Sequence, residues 1–204
     1  DASGTLWLDV RRREWSDELL ALTGLTRVQM PRLVEGSAVS GRLRPEVAQS
    51  LGLRPGTVVA GGGGDNAASA VGMGAVQPGQ GFLSLGTSGV LFVVTPSYQP
   101  NAASATHAFC HAVAGRWHQM SVMLAAASAL QWVANLLGAP DAGHVAARAA
   151  ALGAADREAA PLFLPYLSGE RTPHNDARVR GSFHGLDFDT DAARLGYAVM
   201  EGVG

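Results

Sequence analysis

Apolar and polar positions alternate in short runs along this chain, and run length together with turn residues separates strands from helices. Up to about residue 49 the runs are only a few residues long. Within them SDELLALTG, residues 16–24, predicts a short helix with Ser16 as N-cap and Gly24 just past its end. Pro31, Gly36, Gly41 and Pro45 then punctuate loops, and residues 45–51 predict a small helix. TVVA, residues 57–60, predicts a buried strand that runs into GGGGDN, and residues 67–73 predict a helix after it. Residues 82–85 and 90–94 predict a β-hairpin around the turn Gly86-Thr87-Ser88-Gly89. Short strands are expected at 107–113 and 116–120, then helices at 121–137 and 142–152, a strand at 161–166 and a closing helix at 191–202. Mixed strands and helices in this order make the fold class α/β.

Composition narrows the chemistry. The 204 residues are 47% hydrophobic and 16% charged, enough to bury a core and too apolar for a disordered chain. A net charge of −2 provides no basic footprint for nucleic acid or an anionic membrane. All 15 basic residues are arginine, which removes Schiff-base chemistry and the lysine of a Walker-type loop. Cys110 is alone, so no intrachain disulfide forms, and the cytoplasm is the expected compartment. The most apolar stretch, residues 122–137, is interrupted by Ser128, Gln131 and Asn135, so no membrane partner is expected. The first ten residues hold two aspartates and no basic head, unlike a signal peptide. A start at Asp1 and a stop just after a helical pattern read as a piece of a longer protein.

The most informative segment is residues 58–94. Four glycines at a strand end let backbone approach a ligand closely, and Asp65 stands where that turn meets a helix. There a carboxylate serves either as an N-cap or as a base that accepts the proton of an attacking hydroxyl. The turn Gly86–Gly89 reads either as an ordinary hairpin or as a nest of amides and hydroxyls suited to phosphate.

Taken together these segments carry a resemblance. GGGGDNAASAVGMGAV followed by FLSLGTSGVLFV resembles the FGGY family of carbohydrate kinases, in particular the branch acting on D-xylulose. DASGTLWLD at residues 1–9, HAFCH at 107–111, RWHQM at 116–120 and PYLSGERTPH at 165–174 match in the same order. GSFHGL, residues 181–186, leading to Glu201-Gly202 resembles the family's second signature, with a departure near Arg194, where an acidic, amide or histidine residue is usual.

The resemblance implies a ribonuclease H/actin-like fold of two domains, with residues 1–56 the end of the sugar-binding domain and 57–204 the first part of the nucleotide-binding domain. It implies ATP-dependent phosphorylation of D-xylulose, with ATP and Mg2+ as cofactors and a related ketose or polyol such as ribulose or glycerol as the alternative acceptor. A non-catalytic ATP-binding module of the same fold is the other alternative, and a homodimer is compatible with either. By the same resemblance Asp65 is the catalytic base and contacts the sugar, and Asn66 binds the sugar. Gly86 and Thr87 face the phosphates, while Ala127, Leu130 and Gln131 lie beside the nucleotide. Spacings of three and four put the last three on one helical face, although Ala127 and Leu130 would serve equally as core. The first phosphate loop, the sugar contacts of the first domain and the C-terminal adenosine motif are absent from the sequence, so the chain by itself is expected to be weak or inactive.

Other groupings stay structural at this stage. His107, Cys110, His111 and His118 tempt a metal reading, but strand positions four apart lie roughly 13 Å from each other. Arg11–Arg13 reads as a solvated face. The loop from Ser168 to Thr172 reads as a polar clamp near the active cleft, as an internal Glu170–Arg171 network, or as a solvated loop. Ser88 lacks the elbow pattern of a serine hydrolase.

Overall fold

Ser16 starts the first helix as its sequence predicts: its side chain accepts from the Leu19 amide, and α1 runs Asp17–Leu22. It follows a hairpin of β1 (Leu8–Asp9) and β2 (Glu14–Trp15). In the computed structural model, which describes all residues from Asp1 to Gly204, the chain divides into two compact units. Unit 1 comprises residues 1–82, 92–101 and 107–120, and unit 2 comprises 83–91, 102–106 and 121–204.

The next elements are β3 (Val39–Arg42), α2 (Pro45–Ser50), β4 (Val58–Ala60) and α3 (Asp65–Gly72). The strand expected at 57–60 is present but not buried: β4 pairs only with β3, and Val58 and Val59 are exposed. β3 itself has too little apolar content to be read as a strand, and its pairing with β4 defines it. Further on come β5 (Gly81–Leu85), β6 (Gly89–Thr95), β7 (His107–Cys110) and β8 (Trp117–Met123). They form one sheet in the order β5-β6-β8-β7, with β7 and β8 antiparallel, His107 opposite Met120 and Cys110 opposite Trp117.

Unit 1 has two apolar clusters. Leu8, Trp15 and Leu20 gather Trp7, Val10, Met30 and Leu33, while Ala70, Ala75, Phe82, Phe92 and Val94 form the second. Beside the second cluster, Phe92 stacks on the buried His118 ring at 4.2 Å and meets His111 edge-on at 5.7 Å. The histidine group is therefore used for packing. His111 is fully engaged as a neutral ring: Nε2 donates to Ala75 O at 3.1 Å and Nδ1 accepts from the Val113 amide at 2.9 Å. Arg13 corrects the expectation of a solvated arginine face. It takes a left-handed backbone (φ 59), pairs with Glu35 at 2.6 Å and lies over the Trp117 ring at 4.4 Å. A guanidinium sandwiched this way covers apolar surface while keeping its charge paired.

Unit 2 contains α4 (Ala127–Leu136), α5 (Ala142–Ala150), α6 (Ala154–Glu158), β9 (Leu162–Leu164), β10 (Ser182–His184) and α7 (Ala192–Val203). Its core is Ala129, Val133, Ala134, Val145, Phe163, Ala198 and Val199. Small residues let the helices approach: a Cβ on Gly196 of α7 would come within 2.5 Å of Val145 on α5. Arg194, where the sequence departs from the family's second signature, pairs with Asp156 of α6 at 2.8 Å. The long helix expected at 121–137 is shorter. Residues up to Met123 extend β8, because the Val122 amide donates to Thr172 Oγ1 and Val122 O accepts from the Thr172 amide, and the helix begins at Ala127.

Burial lowers the His118 pKa from 6.5 to about 4 and also lowers that of His111. With a depressed folded-state pKa the unfolded chain binds the proton more tightly. The stabilisation from neutral His118 is therefore complete above pH 6.5 and is lost as pH falls toward about 4. His118→Phe, which keeps the stack on Phe92, should remove on the order of 3 kcal/mol of that acid-side loss. Denaturant melts of both forms across this range would check it, and equal pH slopes would overturn it.

Candidate functional site

Asp65 is the first residue of α3, and its carboxylate is exposed. Gly64 occupies the N-cap position with no side-chain cap, so Asp65 is not the cap that its position suggests. Asp65 Oδ1 instead accepts from the Asn66 amide at 2.8 Å and from Asn66 Nδ2 at 3.3 Å. These bonds fix one carboxylate oxygen within the first turn, and the residue takes part in no ion pair. The structure thus places Asp65 and Asn66 together, with the carboxylate exposed.

The glycine run before them does less ligand-facing work than expected. A Cβ on Gly61 would sit 2.5 Å from Glu35 O, and one on Gly63 would sit 2.8 Å from Ala112 Cβ. These glycines admit the chain's own backbone. Gly61–Gly63 still border a cavity of about 520 Å³ within unit 1, shared with Asp1, Arg13, Glu35 and His111. That size falls among small-molecule sites. Asp1, whose side chain accepts from the Ser3 amide at 2.8 Å, stands beside Gly64, since a Cβ there would lie 3.1 Å from Asp1 Oδ2. Neither Asp1 nor Arg13 has a ligand-facing role assigned from sequence, because a single carboxylate and an arginine in a basic run carry no local signal.

In unit 2 the turn between β5 and β6 joins the start of α4. Gly86 O accepts from the Ala127 amide at 2.9 Å, and Thr87 O accepts from the Ala126 amide at 3.0 Å and from Ser128 Oγ at 2.7 Å. Ala126 occupies the N-cap of α4 and has no side-chain acceptor, so the turn supplies the missing cap. Thr87 is exposed at this junction, beside a helix end whose partial positive charge favours anions. Gly86, Thr87 and Ala127 are therefore brought together. Gln131 follows one turn along α4, exposed and bonded to Asn135 at 3.0 Å. Leu130 is half-buried and packs on the unit's core, the alternative role its sequence allowed.

The turn from β8 into α4 has a second anchor that the sequence left undecided. Glu170 is only 3% exposed, and its Oε1 accepts from the amides of Leu124 at 3.0 Å and Arg171 at 2.7 Å. Within the loop Ser168–Thr172 Glu170 is thus buried and bonded to the Arg171 amide, while Ser168 and the Arg171 side chain stay exposed.

Comparison with known proteins agrees with these features. The profile of the FGGY family of carbohydrate kinases, N-terminal domain, matches residues 1–72, and that of its C-terminal domain matches residues 81–204. A xylulose kinase of Klebsiella pneumoniae is 57% identical over the whole chain, which spans 42% of that relative's length. A crystal structure of a xylulose kinase from Brucella ovis superposes with a TM-score of 0.94 at 54% identity, covering all of this chain and 41% of that one. A gluconate kinase structure from Lactobacillus acidophilus matches with a TM-score of 0.88 at 26% identity, covering 99% of this chain and 41% of that one. The architecture of these relatives is the mixed α/β fold of the ribonuclease H/actin-like ATPases.

Gly61→Ala should destabilise the protein by about 1–3 kcal/mol, because the new methyl overlaps Glu35 O. Urea denaturation would measure the loss, and a neutral or stabilising result would return this glycine to a ligand-facing role.

With the N-terminal and C-terminal family profiles matched in order along its length, the chain belongs to the FGGY family of carbohydrate kinases.

Proposed function

We propose that this chain is part of an ATP-dependent kinase that phosphorylates D-xylulose on its 5-hydroxyl. The exposed, unpaired carboxylate of Asp65 at the start of α3 carries the reading, since a general base must be free to take a proton. Whole-chain similarity to a xylulose kinase supports the choice of sugar. The equal TM-scores of 0.88 for a xylulose kinase and a gluconate kinase keep a related acceptor as the second reading.

In this reading Asp65 accepts the proton of the attacking hydroxyl, while Asn66 holds the carboxylate in place and hydrogen-bonds the sugar. The hydroxyl oxygen forms a bond to the γ-phosphorus as the bond from that phosphorus to the β–γ bridging oxygen breaks, and ADP departs. ATP would supply the phosphoryl group, and Mg2+ bound with it would neutralise developing charge. The residues present fit the phosphates through the exposed Thr87 hydroxyl, the Gly86 turn and the start of α4. No residue of this chain is assigned to the metal. Ala127 and Gln131, both exposed on α4, stand beside the nucleotide, while Leu130 packs on the core. Cys110, the lone cysteine, suits a cytoplasmic enzyme.

Phosphoryl transfer rests on positioning, and the chain spans 42% of its relative. The 204-residue polypeptide alone should therefore form no ADP that depends on D-xylulose in a coupled assay, and appreciable turnover would refute this. In the full-length protein, Asp65→Asn should lower kcat by about 100-fold or more with ATP affinity preserved. Thr87→Val should raise the KM for ATP by about tenfold. Near-normal kcat in Asp65→Asn would remove the base assignment.

A further inference from the structure

The loop between β9 and β10 is fastened to the strand that leads into α4. Thr172 donates its amide to Val122 O at 3.1 Å, and its Oγ1 accepts from the Val122 amide at 3.0 Å. Two residues on, the Leu124 amide donates to Glu170 Oε1 at 3.0 Å, and the Arg171 amide donates to the same oxygen at 2.7 Å. Glu170 is itself held by reciprocal backbone hydrogen bonds with Asp176, both 2.9 Å. All of these residues belong to unit 2.

Glu170 is an expensive choice for a merely structural post. It is almost fully buried, and its Oε2 has no hydrogen-bond partner. A buried carboxylate with half its acceptor capacity unused adds little to stability compared with an apolar or amide residue of similar size. What Oε1 provides is one acceptor, at the right reach, shared by the Leu124 amide at 3.0 Å and the Arg171 amide at 2.7 Å. Leu124 stands two residues before Ala126, whose amide, with that of Ala127, ties down the Gly86–Thr87 turn. The chain of contacts runs from Glu170 through Leu124 to the Ala126 and Ala127 amides, and ends at the Thr87 turn.

We propose that Glu170 is a positioning residue for the phosphate groups of ATP: its Oε1 sets where α4 begins and so where Thr87 is presented. This rests on the assignment of Thr87 and α4 to the nucleotide. Glu170 touches no reacting atom. Its effect should fall on nucleotide binding and spare the sugar, whose assigned contacts, Asp65 and Asn66, lie in unit 1.

The test uses full-length protein carrying Glu170→Asp, Glu170→Gln or Glu170→Ala. Aspartate retains the charge but is one methylene too short to reach both amides, whereas glutamine keeps an oxygen acceptor at the right length. The expected result is a rise of about tenfold in the KM for ATP in Glu170→Asp, with the KM for D-xylulose changed less than about twofold. Glu170→Gln should hold the KM for ATP within about threefold of the parent even if its melting temperature falls. Unchanged ATP KM in Glu170→Asp, or equal rises in both KM values, would overturn the proposal. If Glu170→Ala does not fold, the aspartate and glutamine forms decide. If the parent protein binds MgADP but phosphorylates no D-xylulose, the sugar reading fails alone, and calorimetric MgADP affinity becomes the readout. A loss of about tenfold in Glu170→Asp then supports the role of Glu170, and equal affinity sinks it. A parent that binds no MgADP sinks both.

Discussion

Two carbonyl oxygens of a hairpin turn, those of Gly86 and Thr87, accept the first free amides of α4, and the junction of β5, β6 and α4 depends on those bonds. A helix leaves its first amides unsatisfied, and Ala126, at the N-cap, has no side chain able to accept from them. The turn solves the problem with backbone alone. In doing so it fixes a threonine hydroxyl beside the electropositive end of a helix, an arrangement suited to phosphate without any lysine. The Ser128 hydroxyl, donating to Thr87 O, and the Glu170 grip on Leu124 reinforce the same junction.

Unit 1 obeys a different constraint, close approach of backbone to backbone. Gly61 and Gly63 lie where any side chain would strike Glu35 or Ala112, so the strand β4 can run directly into α3. The consequence is that Asp65 emerges as the first residue of that helix, exposed and held by its neighbour Asn66. Glycines that suggest a ligand in the sequence thus place the catalytic candidate indirectly, by shaping the path of the chain. The core beneath uses neutral histidines as aromatic packing, and burial keeps them neutral.

Membership of a kinase family and similarity across the entire chain bear on both halves of this picture. The chain spans 42% of the length of that curated relative. In the proposed function, Asp65 with Asn66, and Thr87 with the start of α4, are the groups this chain contributes.

Much of this was legible in the residues. Ser16 caps its helix as the pattern predicted, because a cap is a contact between neighbours a few positions apart, and the closing helix expected from 191 begins at Ala192 with Asp191 as its cap. The hairpin around Gly86–Gly89 and the collinear motifs were equally local, and they sufficed to recognise the family. Other features depended on partners distant in sequence. The start of α4 was misplaced because Thr172 and Glu170, almost fifty residues away, hold Val122 and Leu124 in an extended path. β3 became visible only through β4, and Arg13 left the solvent only because Glu35 and Trp117 enclose it. Sequence determined which residues can carry chemistry and which segments favour helix or strand, since propensity and capping act over a few residues. Tertiary structure alone decided that Gly64 caps α3, that Glu170 is buried, and that Thr87 meets the start of α4, because those depend on hydrogen bonds and packing between whole elements.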